Sequence, residues 1–495
     1  MRREQDPYDS LAYPGNSYPD THPDRLAAMA ILHGLSPAAV AHCRVLEVAC
    51  NEGANLIPMA YAMPESEFVG FDLARLPIER GQARIQDLGL KNIRIFQGNL
   101  LEVGAELGSF DYIIAHGFYA WVPEPARDRL LALCGELLTA NGVAFVSYNA
   151  LPGGHLRSMI REMMLFSAEG VDDPQQRVAD GMAFLQFVAE TRDAGDPIRV
   201  MLEERLKRME NRDPGGTFHD ELSDAYHPVQ FSEFAEHARK HGLQYLCEAV
   251  LPPPDDASHR DDLRPALESV AGDDIVRQEQ MLDFVRMRMY RQTLLCRAER
   301  VVRRDFAVEC VRELLLASPA RSTPGEKAGA KVFTLPGGTK IETNHAAVLG
   351  LLETLESAWP CALRFDELEA RLAGVGFALN DEGMTLLMRL AAARMIEFHA
   401  WRAPVARVIS ERPRASACSR DESRMRTQVA TLLHGTFGFE DSLIRSFLQL
   451  LDGTRDRKAL LESLQAEFPA VQEEELEGGI EMGLGHFHRA GWLEA

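Results

Sequence analysis

The chain has 495 residues, enough for about three domains, and its 46% hydrophobic and 26% charged residues give a globular composition that excludes global disorder. With 53 Lys and Arg against 74 Asp and Glu the formal charge is −21, and a polyanion repels nucleic-acid phosphate and anionic lipid unless basic residues are concentrated; here they come in adjacent pairs at most, such as Arg303 and Arg304 beside Glu299 and Asp305, so neither nucleic acid nor a membrane is an expected partner. The eight dispersed cysteines lack CxxC spacing, no long apolar run occurs, and the N-terminus has no apolar signal core, so a zinc knuckle, a membrane span and export are not expected and a reduced, cytoplasmic protein is.

In chain order, the first segment is polar, aromatic and broken by proline (Tyr8, Tyr13, Tyr18, His22), with a helix start marked by Thr21, Pro23 and Asp24. Residues 42–150 then alternate short β-like runs (Arg44–Val48, Glu67–Phe71, Ile93–Phe96, Phe110–Ala115, Gly142–Ser147) with amphipathic segments such as 76–88 and 127–138. That alternation predicts a parallel sheet with helices on both faces, whose ligands sit beyond the carboxyl ends of the strands. From 154 to 248 the pattern is helical, the stretch LPPPDDASHRDD interrupts it near Leu251, and a further helix is expected over 273–300. His237 and His241 have the i, i+4 spacing of a metal pair, but no third ligand stands near them in the chain, so a packed or solvated helix is the expectation and no metal is assigned.

Past a Gly/Pro/Ser/Lys stretch at 318–329, a hairpin around Leu335, three helical patterns and the strand-like Met395–His399 follow in winged-helix order; Arg371, Arg389 and Arg394 there are balanced by acids, which favours interaction over DNA binding. The expected units are 1–153, a helical middle region 154–304, a winged-helix-like unit with connector 305–426 and a small helical unit 427–495. The fold class is α/β: a Rossmann-like domain, then a helical middle region, then a C-terminal winged-helix-like portion.

The chemistry concentrates in Val45-Leu-Glu-Val-Ala-Cys-Asn-Glu-Gly-Ala-Asn55, a strand, a tight turn and a helix start. Such turns use glycine so that a ligand can approach the backbone. Only Gly53 remains here, with Ala49 and Asn51 at the other positions. Alone, the turn suits an ordinary strand-to-helix junction better. Three further features stand at the ends of the next strands: Asp72, 25 positions after Glu47, Asn99 with Leu100, and His116 before Gly117. A carboxylate at Asp72 can accept ribose hydroxyls.

This set resembles the class I S-adenosylmethionine-dependent methyltransferases, whereas the GxGxxG spacing of a dehydrogenase is missing. Further segments extend the likeness: Tyr8–Pro14, Tyr18–Leu26, Gly117–Pro123, Tyr148–Gly153, His219–Leu222, Pro228–Phe231, His237–Leu246 and Leu451–Asp456. Together they are similar to the bacterial methyltransferases with a methyltransferase regulatory domain, a group that includes rickettsial-type protein-lysine methyltransferases acting on an outer-membrane surface protein. The resemblance implies S-adenosyl-L-methionine as cofactor, a lysine-bearing protein as substrate, and a middle region associated with homodimers.

It also implies roles. Glu47 would accept from the cofactor's charged amine, Ala49, Asn51 and Gly53 would form its turn, Asp72 would hold the ribose, and Asn99 and Leu100 would flank the adenine. His116, Tyr13 and Tyr18 would complete the cofactor site, the two tyrosines as a lid. Tyr119 and Trp121 would wall the acceptor, with Tyr119, Tyr148 and Asn149 as the catalytic candidates orienting its nitrogen. The bland alternative is that Tyr119 and Trp121 pack the loop against the sheet. The Cβ of Ala49 would crowd the cofactor's methionine portion, at a cost of about 1–3 kcal/mol, or roughly ten- to hundredfold in affinity. A small-molecule methyltransferase and a non-catalytic binding protein are the alternatives.

Overall fold

The computed structural model describes residues 13–250, 263–304, 308–374 and 376–495; Tyr8 and the proline-rich 251–262 stretch lie outside the described residues. The apolar runs become strands β1 (Arg44–Val48), β2 (Glu67–Asp72), β3 (Ile93–Gln97), β4 (Phe110–Ala115) and β5 (Leu138–Asn149). They are parallel to one another. Register sets Glu47 level with Gly70 and Ile114, and Asp72 level with Gln97, so the residues singled out above share one edge of the sheet.

Both faces are covered, as the continuous apolar character of the strands requires. Val45, Tyr112, Ile114 and Phe145 pack on the side of helices α1 (Pro23–Leu32) and α2 (Leu56–Ala62). Leu46, Ile113, Ala144 and Val146 pack on the other side with α4 (Glu124–Leu137), while α3 (Arg75–Asp87) lies along β3.

The sheet does not end at β5. Helices α5 (Gly154–Ser167), α6 (Pro174–Glu190), α7 (Pro197–Glu210) and α8 (Pro214–Glu221) are followed by α9 (Phe231–Lys240), and then by strand β6 (Leu243–Glu248). After α10 (Leu263–Ala271) and α11 (Ile275–Arg286) comes β7 (Tyr290–Arg297), completing the order β3-β2-β1-β4-β5-β7-β6. Strand β7 is antiparallel to both β5 and β6. The helix expected over 273–300 thus stops at Arg286, where Met287 adopts a left-handed conformation (φ 49°), and the apolar Leu294, Leu295 and Cys296 are buried in the sheet. A short apolar run between charged ends reads equally as buried helix or buried strand.

Three middle helices begin Asp-Pro. Asp173, Asp196 and Asp213 each cap the next helix by accepting a backbone N–H (from Gln176, Ile198 and Gly215, at 2.7–2.8 Å), with proline at the first helical position where no N–H is needed. Fully buried Arg291 of β7 ties this region together, donating to Glu248 at 2.6 Å, Glu279 at 2.9 Å and Asp283 at 2.8 Å and lying over the Phe231 ring.

Downstream, β8 (Leu315–Ala317), the antiparallel sheet of β9 (Arg321–Pro324), β10 (Lys331–Thr334) and β11 (Lys340–Thr343), helices α12 (Ala346–Ala358), α13 (Phe365–Gly374) and α14 (Asp381–Ala392), and strands β12 (Leu363–Arg364) and β13 (Glu397–His399) form one unit. The last unit holds α15 (Ala417–Met425), the hairpin of β14 (Gln428–Ala430) and β15 (Thr436–Gly438), and helices α16 (Ser442–Leu450), α17 (Arg457–Glu467) and α18 (Glu473–Ala490). It docks on the cofactor-side helices through Arg84 of α3, which pairs with buried Glu422 at 2.8 Å and with Asp421 at 3.0 Å. Among the described residues no helix is long and apolar enough to cross a membrane.

Candidate functional site

The turn after β1 folds as a glycine turn although two of its residues are not glycine. Ala49, Asn51 and Gly53 all have positive φ, at 58°, 50° and 73°. Asn pays little for that conformation, and alanine about 1–2 kcal/mol. Asp72 holds the turn in place: the Asn51 N–H donates to its Oδ2 at 2.8 Å and the Ala74 N–H to its Oδ1 at 2.9 Å. The acid at the end of β2 is therefore fixed against the turn.

Glu47 is buried at the end of β1. Its Oε1 accepts from Asn55 Nδ2 at 2.7 Å, while Oε2 is buried with no hydrogen-bond partner. Burial pushes its pKa up to about 8. A buried acceptor left without a donor costs roughly 1–3 kcal/mol, and a cationic amine beside Oε2 would restore both the hydrogen bond and the charge. On this observation the residues present fit the amino end of S-adenosylmethionine.

The N-terminal segment crosses this site as a strap. Gly15 runs so close to the turn that a Cβ there would stand 2.6 Å from the Ala54 Cβ. Asn51 Nδ2 donates to the Tyr13 carbonyl at 3.4 Å, and the Tyr18 ring lies 4.0 Å from that of His116, between centroids. Tyr13 instead neighbours His219 of α8. The C-terminal unit clamps the strap from outside. Arg426 donates to the Gly15 carbonyl at 2.8 Å, and Thr436 Oγ1 accepts the Ser17 N–H at 3.1 Å.

Asn55, unassigned by sequence reasoning though it closes the quoted motif, connects these parts. Its Oδ1 accepts the Tyr18 N–H at 2.9 Å and stands 2.8 Å from His434 Nε2, while its Nδ2 serves Glu47 and, at 3.0 Å, Thr21. Burial depresses His434 well below the ordinary imidazole range and lowers both His22 and His116 to about 4. These three imidazoles are therefore neutral near pH 7 and do not repel a cationic ligand.

Asn99 uses its side-chain oxygen locally, accepting the Leu101 N–H at 3.1 Å, and the Leu100 side chain is buried in the core. Leu73 and Leu101, 60% and 54% exposed, supply apolar surface at the ends of β2 and β3 instead.

The acceptor side needs correction. Strand alternation turns Tyr148 away from Ser147 and Asn149: Tyr148 is fully buried, stacked on Phe234, with its hydroxyl 3.1 Å from Thr293 Oγ1. Tyr119 is buried likewise, edge-on to Phe234, with its hydroxyl 2.8 Å from His237 Nδ1. Both hydroxyls are thus engaged by partners within the protein. Trp121 packs on Tyr226, with Arg157 and Arg161 over its ring at 5.0 and 5.4 Å, so the protein's own guanidinium groups already engage the indole.

Asn149 remains. It is buried, and its Oδ1 has no hydrogen-bond partner. Ser147, two positions earlier on β5, accepts the Gly117 N–H at 2.8 Å and touches His116 Nδ1 at 3.3 Å, and Tyr290 of β7 hydrogen-bonds with it. Tyr290 lies in the stretch read as helix, so no signal pointed to it.

Three family models match the chain: a methyltransferase domain over residues 45–142, a predicted methyltransferase regulatory domain over 217–297, and the PKMT C-terminal winged helix domain over 411–478. The winged-helix match thus spans the connector and most of the last unit. Uncharacterized protein RP028 of Rickettsia prowazekii (strain Madrid E) is 32% identical over 240 residues, 48% of this chain and 96% of that protein. Uncharacterized protein RP789 of the same organism is 33% identical over 306 residues, 61% of this chain, and the chain spans only 55% of its length. Among solved structures, PKMT2 from Rickettsia typhi in complex with AdoHcy superposes with a TM-score of 0.88 at 23% identity, covering 97% of this chain and 99% of that one, a likeness of fold. The chain belongs to one family with RP028, the class I methyltransferases with a methyltransferase regulatory domain.

The left-handed alanine yields a direct test. Ala49→Gly should stabilise the protein by about 0.5–1 kcal/mol, the relief of φ strain less the entropy a glycine adds to the unfolded chain. Urea unfolding at constant slope measures it, and a loss of stability would show that the Ala49 methyl packs to advantage.

Proposed function

We propose that this methyltransferase binds S-adenosylmethionine across the β1 turn and methylates lysine side chains of a protein substrate. The unpartnered, buried Oε2 of Glu47 carries the cofactor assignment. The left-handed Ala49 and Asn51 support it against a degenerate, non-binding turn, because the backbone keeps the shape that glycines would give it. The protein substrate is supported by the PKMT winged-helix match and by the fold shared with PKMT2.

When bound, S-adenosylmethionine supplies an electrophilic methyl group on a sulfonium. The chain's part is to hold and align. Glu47 pairs with the amino group, Asp72 with the ribose, and Leu73 and Leu101 face the base. Neutral His116 under Tyr18 adds no opposing charge. On the acceptor side, Asn149 Oδ1 accepts from an incoming amine N–H and aims its lone pair, and removal from water favours the neutral amine. No side chain acts as a dedicated general base in this scheme; the proton leaves to solvent after transfer.

Homodimerisation through the middle region forms part of the proposal. Phe166 of α5 and Phe187 of α6, 72% and 60% exposed, flank Phe184 and make an apolar face on the middle helices.

Calorimetry tests the cofactor site. At pH 6.5 Glu47 is mostly protonated, because its pKa lies at about 8, whereas the ligand's amine is cationic. Pairing the two must expel a proton, so binding measured in buffers of different ionisation enthalpy should release close to one proton per S-adenosylmethionine. Glu47→Gln should abolish that release and weaken binding about tenfold or more, and Asp72→Ala should weaken it too. Proton-neutral binding by the wild type would remove Glu47 from the site.

Mass spectrometry of a lysine-containing protein mixture incubated with enzyme and cofactor should find methylated lysine side chains. Methylated metabolites beside unmodified protein would assign a small-molecule substrate instead. In light scattering the wild type should run as a dimer and Phe187→Asp as a monomer. A monomeric wild type would refute the dimer.

A further inference from the structure

We propose that Asp128, His237 and His241 form a binding site for one divalent transition-metal ion of the zinc class, where α4 and the C-terminal end of α9 meet. The third ligand missing from the local sequence comes from α4, 109 residues before His237. Both imidazoles aim the same atom at the same oxygen: His237 Nε2 lies 3.0 Å and His241 Nε2 2.8 Å from Asp128 Oδ1. The three ligand atoms all lie within 4.8 Å of one another. Around zinc, with bonds of about 2.0–2.2 Å, neighbouring ligand atoms stand about 3.4 Å apart. Asp128 has to withdraw by about half an ångström from the two imidazoles, which its 58% exposed side chain allows, and the histidines, 19% exposed, adjust to close the remaining separation.

The donor set suits the metal. Two imidazoles and one carboxylate with an open fourth position are a zinc-type arrangement, whereas calcium and magnesium prefer oxygen throughout. Hydrogen bonds from the two histidines hold the Asp128 carboxyl below its usual range, which keeps it ionised. His237 also has the outer partner that metal-bound histidines use: its Nδ1 is 2.8 Å from the Tyr119 hydroxyl. Without metal, Nε2–H donates to Asp128 and Nδ1 accepts from Tyr119. With metal, the imidazole proton sits on Nδ1 and the Tyr119 oxygen accepts it.

Tyr119 gives the site its connection to the rest of the domain. It stands in the 3-10 turn Tyr119–Trp121 after β4, whose preceding Gly117 N–H is bonded to Ser147 beside His116. A metal joining α4 to α9 would brace this loop from behind. The inference uses no part of the methyl-transfer proposal, and its test needs no activity.

The full chain, stripped by dialysis against chelator, is titrated with Zn²⁺ by calorimetry and with Co²⁺ by visible spectroscopy. The expected result is one ion per chain, with Co²⁺ bands in the visible. His241→Ala and Asp128→Asn should each weaken binding by about hundredfold, while His42→Ala, which alters a surface histidine paired with Glu65, leaves it unchanged. Asp128→Asn keeps shape on an exposed side chain, and thermal melts of both variants establish that they are folded. Absence of saturable Zn²⁺ binding by the wild type overturns the proposal, as does binding that folded His241→Ala and Asp128→Asn retain at full strength.

Discussion

The side-chain amide of Asn55 is the junction on which the ligand edge depends. Its nitrogen steadies one oxygen of Glu47 and the Thr21 hydroxyl, and its oxygen takes the Tyr18 N–H and faces His434. Every group in this set is buried or nearly so, and a buried polar group without a partner is costly. The N-terminal strap, the first strand and the C-terminal unit therefore all meet at one residue, beside the direct contacts of Arg426 and Thr436 with the strap. Because Asn55 satisfies only one oxygen of Glu47, the same junction leaves the other available to a cation.

Around that junction the molecule closes the cofactor side from both ends of the chain. Asp24 at the start of α1 accepts the Ala400 and Trp401 N–H groups at 2.6 and 2.8 Å and pairs with His399 at 2.6 Å. Arg84 engages Glu422, and Arg426 reaches across to the strap. Buried ion pairs of this kind add little net stability but penalise any other docking strongly, because each alternative strands a charge. The strained turn fits the same logic. A left-handed alanine persists only where its surroundings over-determine it, and here Asp72 grips the neighbouring Asn51 N–H.

How far the site could be read from sequence depended on how local its signal was. Glu47, Asn51, Gly53 and Asp72 announce themselves by position, since the end of a strand and the turn after it are local features, and all four are on the ligand edge. Tyr119 and Trp121 were expected as walls of an acceptor site, and Tyr148 as a hydrogen-bonding group in it, from their places after β4 and β5 and from the family resemblance. Which way an aromatic ring points is decided by strand alternation and by what stands opposite: Phe234 and Thr293 draw Tyr148 inward, and Arg157 and Arg161 cover Trp121. Asp128, Tyr290 and His434 were invisible for a related reason, since their partners lie more than a hundred residues away.

The sequence by itself determined the alternation of strands and helices through residue 149, the edge at which ligands meet the sheet, and a tight turn after β1 that keeps Asn51 and Gly53 where positive φ is needed. Those properties follow from periodicity, from residue size and from the φ preferences of a few positions, all of which act within a few residues. The tertiary structure alone decided that β6 and β7 complete the sheet, that Tyr18, Thr21 and His434 meet at Asn55, that Tyr148 is buried on Phe234 while the Asn149 Oδ1 is left without a partner, and that Asp128 joins His237 and His241. Each of these is a pairing between distant segments, settled by burial and by the need of every buried polar group for a partner, which no local pattern records.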